Sequence, residues 1–337
     1  MTNKISVLFV DDEPLILRGV KRHTRAFRDD WQLHFAAGGV EAVKIITRER
    51  VDLIVTDMRM PEVDGTRLLE WISEYHPEII RIVLSGEAKL DEIYRIVGRS
   101  HRFLAKPCTP DALISVIKQV VEARGRDEDL LRGGGMALLD NLHTPAFLLG
   151  ELQAKLSDET ATVNDVAGIV KRDPSLSLRV LQMANSTYFK RSISTCSIRR
   201  AVSHIGLERL AELESVNRLG QPAPDGLPEA VAPGTASALA NAAVQASEEL
   251  DLTPDEVNAV YISGLCLRST VVDPEAPLGH VARRAAYVSV LFGLPEVLTS
   301  ALRTLSLLEP NAEFTRWPEL IAEAVRSSRP EGMEVAA

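Results

Sequence analysis

Acidic side chains stand directly after two of the most apolar stretches in the first third of the chain. The stretch KISVLFVDDE ends with Asp11 and Asp12 before Glu13, and the stretch VDLIVTD ends on Asp57. An unpaired buried charge is strongly disfavoured, so a carboxylate at the end of a buried strand must stay solvated, pair with a cation or bind a metal ion. Ser85 follows a third apolar stretch, IIRIVL, and Lys106 follows a fourth, HRFLA.

Together these five residues have the chemistry of an acid site that accepts phosphate. Carboxylate oxygens suit Mg²⁺, and the metal and Lys106 would neutralise charge on a transferring phosphoryl group. Asp57 would then attack the phosphorus to give an acyl phosphate, which Ser85 could hydrogen-bond. Alternatively, the aspartates only cap the helices that follow each strand. Five coincident strand-end positions favour the phosphoacceptor interpretation.

Short apolar runs alternate with helix-length segments over the first 123 residues, which predicts a parallel α/β sheet. The near-continuous apolar runs are typical of strands that are covered on both faces. Ligands of such sheets bind at the carboxyl ends of the strands, where the residues described above lie. The five strands are predicted near residues 5–10, 32–36, 51–56, 79–84 and 101–105.

Residues 1–123 resemble the receiver domain of bacterial two-component response regulators, which has a flavodoxin-like fold with a five-stranded parallel sheet. The resemblance rests on VDDE, the D-x-R-M-P-x-x-D-G run, L-S-G and A-K-P, in that order and each at a strand end. It implies an Mg²⁺ site formed by Asp11, Asp12, Asp57 and the backbone carbonyl of Arg59. In that site Asp12 and Asp57 would contact the metal directly, and Asp11 would act through water.

The same resemblance implies a switch. Asp57 would be phosphorylated by a sensor histidine kinase, with Lys106 contacting the phosphate, and Ser85 and Phe103 would form the pair that responds. The bond between Lys106 and Pro107 would be cis, as X-Pro bonds can be.

The pattern changes after Arg124, where strand-like runs cease to dominate. The segment RGRDEDLLRGGG predicts a linker over residues 124–135. Two helix starts follow: Asp173 is a predicted N-cap before Pro174, and Thr253 is a predicted N-cap with Glu256 completing a capping box. The proline-rich segment 220–234 is interpreted as an irregular loop.

Residues 136–308 resemble the HDOD domain, an all-α relative of the HD hydrolases that lacks their catalytic residues, and 309–337 are left as a C-terminal tail. The D-P-x-L helix, the A-N-S exit and the A-V-x-x-I-G turn carry the resemblance, which is strong from 160 to 213. It implies a non-catalytic output domain that acts through contacts with a downstream protein and could form a homodimer.

The competing interpretation is a cyclic-dinucleotide phosphodiesterase of the HD-GYP type. Such an enzyme needs neighbouring His and Asp residues to hold metal ions that activate water. None of the seven histidines precedes an aspartate, and Leu267 and Arg268 stand at the metal-binding positions of the related hydrolases. Gly-Tyr-Pro is also absent, so hydrolysis is disfavoured. Cys266 is interpreted as a small core residue.

One local basic patch breaks the acidity of the second half. It is interpreted either as a solvated face or as a docking patch for an acidic partner or a phosphorylated ligand. Its members are Tyr188, Phe189, Lys190, Arg191, Arg199 and Arg200.

Composition narrows the class of protein. Residues 1–123 carry a net charge of -1 and residues 124–337 one of -8 of the total -9, which disfavours nucleic acid as a partner and, with no convincing basic recognition helix, a transcription factor. The three cysteines are widely spaced and contain no C-x-x-C, which indicates a reducing compartment. No signal peptide or membrane span is predicted, so a cytoplasmic location is expected.

Overall fold

The computed structural model describes residues 4–86, 94–124, 143–186, 193–215, 219–222, 233–269 and 276–328. The chain divides into two compact units, with the main boundary near residue 140. The predicted linker at 125–135 lies outside the described residues. None of the described helices is long and apolar enough to cross a membrane.

The first unit is a five-stranded parallel sheet with helices between its strands. The strands are β1 (Ile5–Val10), β2 (Trp31–Ala36), β3 (Leu53–Asp57), β4 (Ile80–Ser85) and β5 (Arg102–Ala105). The helices are α1 (Pro14–His23), α2 (Gly39–Ile46), α3 (Gly65–Tyr75) and α4 (Pro110–Arg124). The strand order in the sheet is β2-β1-β3-β4-β5. Every predicted strand is confirmed to within two residues at each end. Helices α1 and α4 contact each other, as do α2 and α3.

The central strands are buried along their whole length, because helices cover both faces of a parallel sheet. β3 and β4 contain no exposed residue, and in β1 only Ile5 is partly exposed. This rigid sheet holds the residues at its carboxyl edge in place.

A buried ion pair fixes the end of α4 to the opposite, amino edge of the sheet. Arg124, 5% exposed, bonds through both terminal guanidinium nitrogens to Oδ1 of Asp52, at 3.3 and 3.4 Å. The other oxygen of Asp52 accepts a hydrogen bond from the backbone N–H of Ser6 at 2.9 Å. The end of α4 is therefore bound to the segment that leads into β3.

The second unit is helical, with one short addition. Residues His143–Thr144 (β6) pair in parallel with Gln221–Pro222 (β7), so part of the segment predicted to be an irregular loop is a strand, and residues 223–232 lie outside the described part. The helices are α5 (Ala146–Leu156), α6 (Val163–Lys171), α7 (Pro174–Asn185), α8 (Ile198–Ile205), α9 (Leu207–Ser215), α10 (Pro233–Ala246), α11 (Pro254–Ser269), α12 (Leu278–Leu291), α13 (Glu296–Leu308) and α14 (Trp317–Ser327).

Both predicted helix starts are confirmed. Asp173 accepts from the backbone N–H of Leu176 at 2.8 Å. Glu256 accepts from the N–H of Thr253 at 2.7 Å, and its own N–H donates to the Thr253 hydroxyl at 3.3 Å, which completes the capping box. These bonds satisfy N–H groups that a helix leaves without an internal partner.

The prediction that the helical domain ends at residue 308 is wrong. α14 packs against α13, α10 and α11, and Trp317, Leu320, Ile321 and Val325 are at most 5% exposed. This helix is amphipathic, and its apolar face completes the core of the second unit. Residues 329–337 lie outside the described residues.

Candidate functional site

The ammonium group of Lys106 lies between two carboxylates at the carboxyl edge of the sheet. Its Nζ is 2.9 Å from Oδ2 of Asp11 and 2.9 Å from Oδ1 of Asp57. Asp11 follows β1, Asp57 is the last residue of β3, and Lys106 follows β5. Since parallel strands end at the same edge, residues almost a hundred positions apart in sequence meet here.

The carboxylate of Asp57 is largely buried, and Lys106 offsets only part of the cost of burying its negative charge. Its side chain is 12% exposed. Burial raises the pKa of Asp57, and the hydrogen bond and charge of Lys106 offset part of that effect. Burial alone would lower the pKa of Lys106, but its bonds to Asp11 and Asp57 outweigh this and raise it. The ammonium form of Lys106 is therefore stabilised.

The backbone of Asp57 is held by the start of α3. A Cβ at Gly65 would lie 2.1 Å from the carbonyl oxygen of Asp57, so a side chain there would displace the strand end. Gly65 also donates its N–H to the carbonyl of Met58 at 2.9 Å. Asp64 caps α3 by accepting from the N–H of Arg67 at 2.8 Å. Asp57 is thus fixed by its own loop as well as by the sheet.

Asp12 stands apart from this pairing. It is half-buried, and it forms no ion pair with a described residue. The second oxygen of Asp11 accepts from the N–H of Glu13 at 2.9 Å. Across the described parts of the chain, no group of three or more His, Cys, Asp or Glu side chains is arranged to hold a metal ion. The three aspartates nevertheless supply the hard oxygen donors that Mg²⁺ prefers, so the donor chemistry fits this ion.

The predicted switch residues lie on the two strands next to this site. Ser85 ends β4 and is 2% exposed; Phe103 lies in β5 beside Val83 and is 4% exposed. The hydroxyl of Ser85 donates to the carbonyl of Gly86 at 3.4 Å, a long bond that is easily exchanged for another acceptor. The cis bond between Lys106 and Pro107 is confirmed.

Comparison with known protein families assigns both units. The response regulator receiver domain matches residues 7–118, and the HDOD domain matches residues 142–264. The chain contains a response regulator receiver domain at residues 7–118, followed by an HDOD domain at residues 142–264. The fold class predicted for each domain is confirmed.

The curated relatives are similar to about a third of this chain. The hydrogenase transcriptional regulatory protein HoxA of Cupriavidus necator is 33% identical over 129 residues, which are 38% of this chain and 26% of HoxA. The transcriptional regulatory protein GlrR of Escherichia coli is 30% identical over 117 residues, which are 34% of this chain and 26% of GlrR. This chain therefore spans about a quarter of the length of these relatives.

A solved receiver structure is also similar to part of this chain. The signal receiver domain of an HD domain-containing protein from Pseudomonas fluorescens is 27% identical, with a TM-score of 0.35. The match covers 37% of this chain and all of that chain.

The sequence resemblance assigns Leu267 and Arg268 of the HDOD domain to the metal-binding positions of the related hydrolases. Leu267 is fully buried in α11, and an aliphatic side chain cannot bind a metal ion. Of Arg268 only the helical backbone is described. Cys266 is fully buried, as predicted for a core residue, and burial raises the pKa of its thiol.

The predicted docking patch of the HDOD domain falls mostly outside the described residues. This applies to Tyr188, Phe189, Lys190 and Arg191. Arg199 and Arg200 are exposed on α8, and Arg200 pairs with Asp255 at 3.3 Å. Part of the positive charge of the predicted docking patch is therefore already neutralised within the domain.

Two structural features of the receiver domain were missed by sequence reasoning, one at the acid site and one at the opposite edge of the sheet. Gly65 stands in the Asp-Gly pair of the run D-x-R-M-P-x-x-D-G, so the signal was present, but its contact with Asp57 depends on how α3 folds back. The Asp52–Arg124 pair joins residues far apart in the chain, and no local pattern indicates it.

Proposed function

We propose that this protein is a phosphorylation-gated response regulator in which Asp57 accepts a phosphoryl group from a sensor histidine kinase. The observation that carries the proposal is the 2.9 Å contact of the Lys106 ammonium with both Asp57 and Asp11. A carboxylate at a strand end, beside a fixed cation, is the group needed to receive a phosphoryl group. The family match of residues 7–118 supports it as well.

In the proposed reaction, an oxygen of Asp57 forms a bond to phosphorus while the bond from phosphorus to the kinase histidine nitrogen breaks. The leaving nitrogen keeps that electron pair, and the product is an acyl phosphate on Asp57. Lys106 would neutralise part of the negative charge on the phosphoryl oxygens. Mg²⁺, when bound, would neutralise further charge on those oxygens. Its donors would be Asp11, Asp12, Asp57 and the backbone carbonyl of Arg59.

The new phosphate would then compete for hydrogen-bond donors near it. The Ser85 hydroxyl, whose bond to Gly86 is long, is the donor we expect to turn towards it. A movement of Ser85 would open or close space for Phe103 on the adjacent strand, and this change would spread to the surface of the receiver.

The HDOD domain would relay the signal through contacts with a downstream protein, and assembly into a homodimer is one form that this could take. The proposal makes this domain non-catalytic, because the resemblance assigns buried Leu267 to a position where a hydrolase would need a metal ligand. Hydrolysis of a cyclic dinucleotide by the pure protein with Mn²⁺ or Mg²⁺ would contradict that part.

The test compares wild type with Asp57→Asn, and uses Asp111→Asn as the matched control because Asp111 is an exposed aspartate in the first turn of α4. Each protein is incubated with Mg²⁺ and acetyl phosphate, and intact mass spectrometry measures phosphoryl uptake. Wild type and Asp111→Asn should gain one phosphoryl group, and Asp57→Asn none. Equal uptake by all three would place the phosphate elsewhere and contradict the proposal.

The output is tested by light scattering after size exclusion, with and without beryllofluoride as the phosphate analogue. A shift in mass in wild type, but not in Asp57→Asn, would link Asp57 to assembly. If wild type shows no shift, hydrogen exchange of both proteins would decide whether the analogue changes the receiver surface near β4 and β5.

A further inference from the structure

A groove of about 420 Å³ runs beside β2, away from Asp57. Trp31, Leu33 and Phe35 line it and alternate along the strand, so their side chains share one face of the sheet. Trp31 stacks on Phe27 at 4.8 Å between ring centroids, and Phe35 stacks on Phe9 at 5.5 Å. The groove therefore has a firm apolar floor.

Three cations stand around this floor. The ammonium of Lys21 lies 5.5 Å from the centre of the Phe35 ring, at one end of β2. Lys4 and Arg28 stand at the other end, where the Lys4 ammonium donates to the carbonyl of Arg28 at 2.7 Å. All three side chains are exposed, so an approaching anion can reach them.

These cations are not neutralised by the described part of the chain. None of the three has its charged nitrogen within 4 Å of a carboxylate oxygen of a described residue, although Asp29 and Asp30 are exposed nearby. This contrasts with Arg124 and Lys106, which are paired with buried aspartates. The charge around the groove therefore remains available to a partner.

β2 is also an edge strand. It pairs with β1 on one side only, and no other described strand pairs with its outer edge. An edge strand presents unpaired N–H and C=O groups that can bind an extended segment of another protein. A segment that lies along β2 could therefore form backbone hydrogen bonds with the strand and ion pairs with the cations at its two ends.

We propose that this groove binds an extended acidic segment of a partner protein, added as a strand beside β2. Trp31 and Phe35 are four residues apart, which is about 13 Å of strand. One small anion cannot reach the cations at both ends, whereas an extended segment with carboxylates at both ends can. A second copy of this chain is disfavoured because the two sets of cations would face each other.

The test measures fluorescence anisotropy of the labelled peptide Glu-Val-Glu-Val-Glu-Val-Glu with the full-length protein. The variants are Lys21→Glu and Arg28→Glu, and Lys44→Glu on α2 is the control with the same change of charge on an exposed lysine. We expect wild type and Lys44→Glu to bind alike, and each groove variant to bind about tenfold more weakly. Circular dichroism verifies that every variant is folded.

Further peptides separate the alternatives. The counterpart with Lys in place of Glu should not bind, and the acidic peptide with N-methylated backbone should bind much more weakly, because it cannot pair with β2. Hydrogen exchange over residues 31–36 should slow when the unmodified peptide is bound.

Several results would overturn this proposal. Loss of binding in Lys44→Glu equal to that in Lys21→Glu would mean that only net charge matters. Equal binding of the N-methylated peptide would rule out strand addition, and displacement of the peptide by pyrophosphate at equal concentration would assign the groove to a small anion. No binding up to about 1 mM would mean that the cations only protect the edge from aggregation.

Discussion

The shared ammonium of Lys106 makes the receiver site depend on one side chain. In Lys106→Met, Asp11 and Asp57 lose the cation that lies 2.9 Å from each. We expect the rate of phosphoryl uptake from acetyl phosphate to fall on the order of 100-fold, since a fixed charge near a developing oxyanion contributes effects of that size. Intact mass spectrometry over time measures the rate. Lys118→Met is the control, because Lys118 lies over Phe27 instead, and an equal loss in that variant would contradict the role of Lys106.

Asp173 makes the stability of the HDOD domain depend on pH. Its Oδ1 accepts from Thr144 and Leu176, both at 2.8 Å, while its Oδ2 is buried without a hydrogen-bond partner. Burial raises the pKa of Asp173 to about 6, from 3.8 in an ordinary environment. The folded state therefore keeps the proton to higher pH than the unfolded state. This contribution to stability is full below pH 3.8 and is lost as pH rises through about 6.

We expect Asp173→Asn to remove that dependence, because the amide stays neutral and its oxygen can accept both hydrogen bonds. The free energy of unfolding of Asp173→Asn relative to wild type should rise by up to about 3 kcal/mol between pH 4 and pH 7, measured by urea denaturation. Asp158→Asn is the control: hydrogen bonds from Thr160 lower the pKa of Asp158 to about 2, so the difference in unfolding free energy between this variant and wild type should stay flat over this range. A flat difference for Asp173→Asn would contradict the prediction.

At the scale of secondary structure, α14 is the element whose removal should matter most. It buries Trp317, Leu320, Ile321 and Val325. A chain that stops after residue 308 would lose this face and expose the partner faces of α10 and α13, a cost of roughly 5–10 kcal/mol and comparable to the whole stability of a domain. We expect it to lose the cooperative thermal transition of the HDOD domain in circular dichroism. A chain that stops after residue 328 should melt like wild type, and equal melting of both truncations would show that α14 is dispensable.

The sequence predicts elements well where the signal is local. Alternating apolar runs located the five strands, and the caps at Asp173 and Thr253 located two helix starts. The sequence does not reveal pairings between distant residues. Strands β6 and β7 pair Thr144 with Pro222, and no sequence pattern near either residue indicates this pairing. α14 was missed because its apolar pattern covers only eleven residues. That this apolar face belongs to the core becomes evident only when α10 and α13 are seen to pack against it.

The same division applies to the receiver site. Strand-end positions were enough to predict that Asp11, Asp57 and Lys106 meet. They could not show that Lys106 bridges the two acids while Asp12 stays apart, because that depends on how side chains turn in the folded loop.

At the scale of the whole molecule, the uneven charge predicts behaviour towards nucleic acid. The relatives with transcriptional names match 38% and 34% of this chain, and residues 124–337 carry a net charge of -8. We expect no retention of a short random DNA duplex in a mobility-shift assay at physiological salt, since the field repels phosphate. Retention that is abolished by added salt would contradict this and would point to a local basic surface such as the β2 groove.

The bond from Arg124 to Asp52 has a practical consequence for protein engineering. Asp52 lies just before β3 and Asp57 ends it, so the chain leaves α4 at the edge of the sheet opposite the acid site. A foreign domain joined directly after residue 124 would start from a fixed turn of helix and leave the acid site intact. A junction placed before residue 124 would remove the guanidinium group of Arg124. Asp52 would then lose this ion pair, and the last turn of α4 would no longer be bound to the sheet.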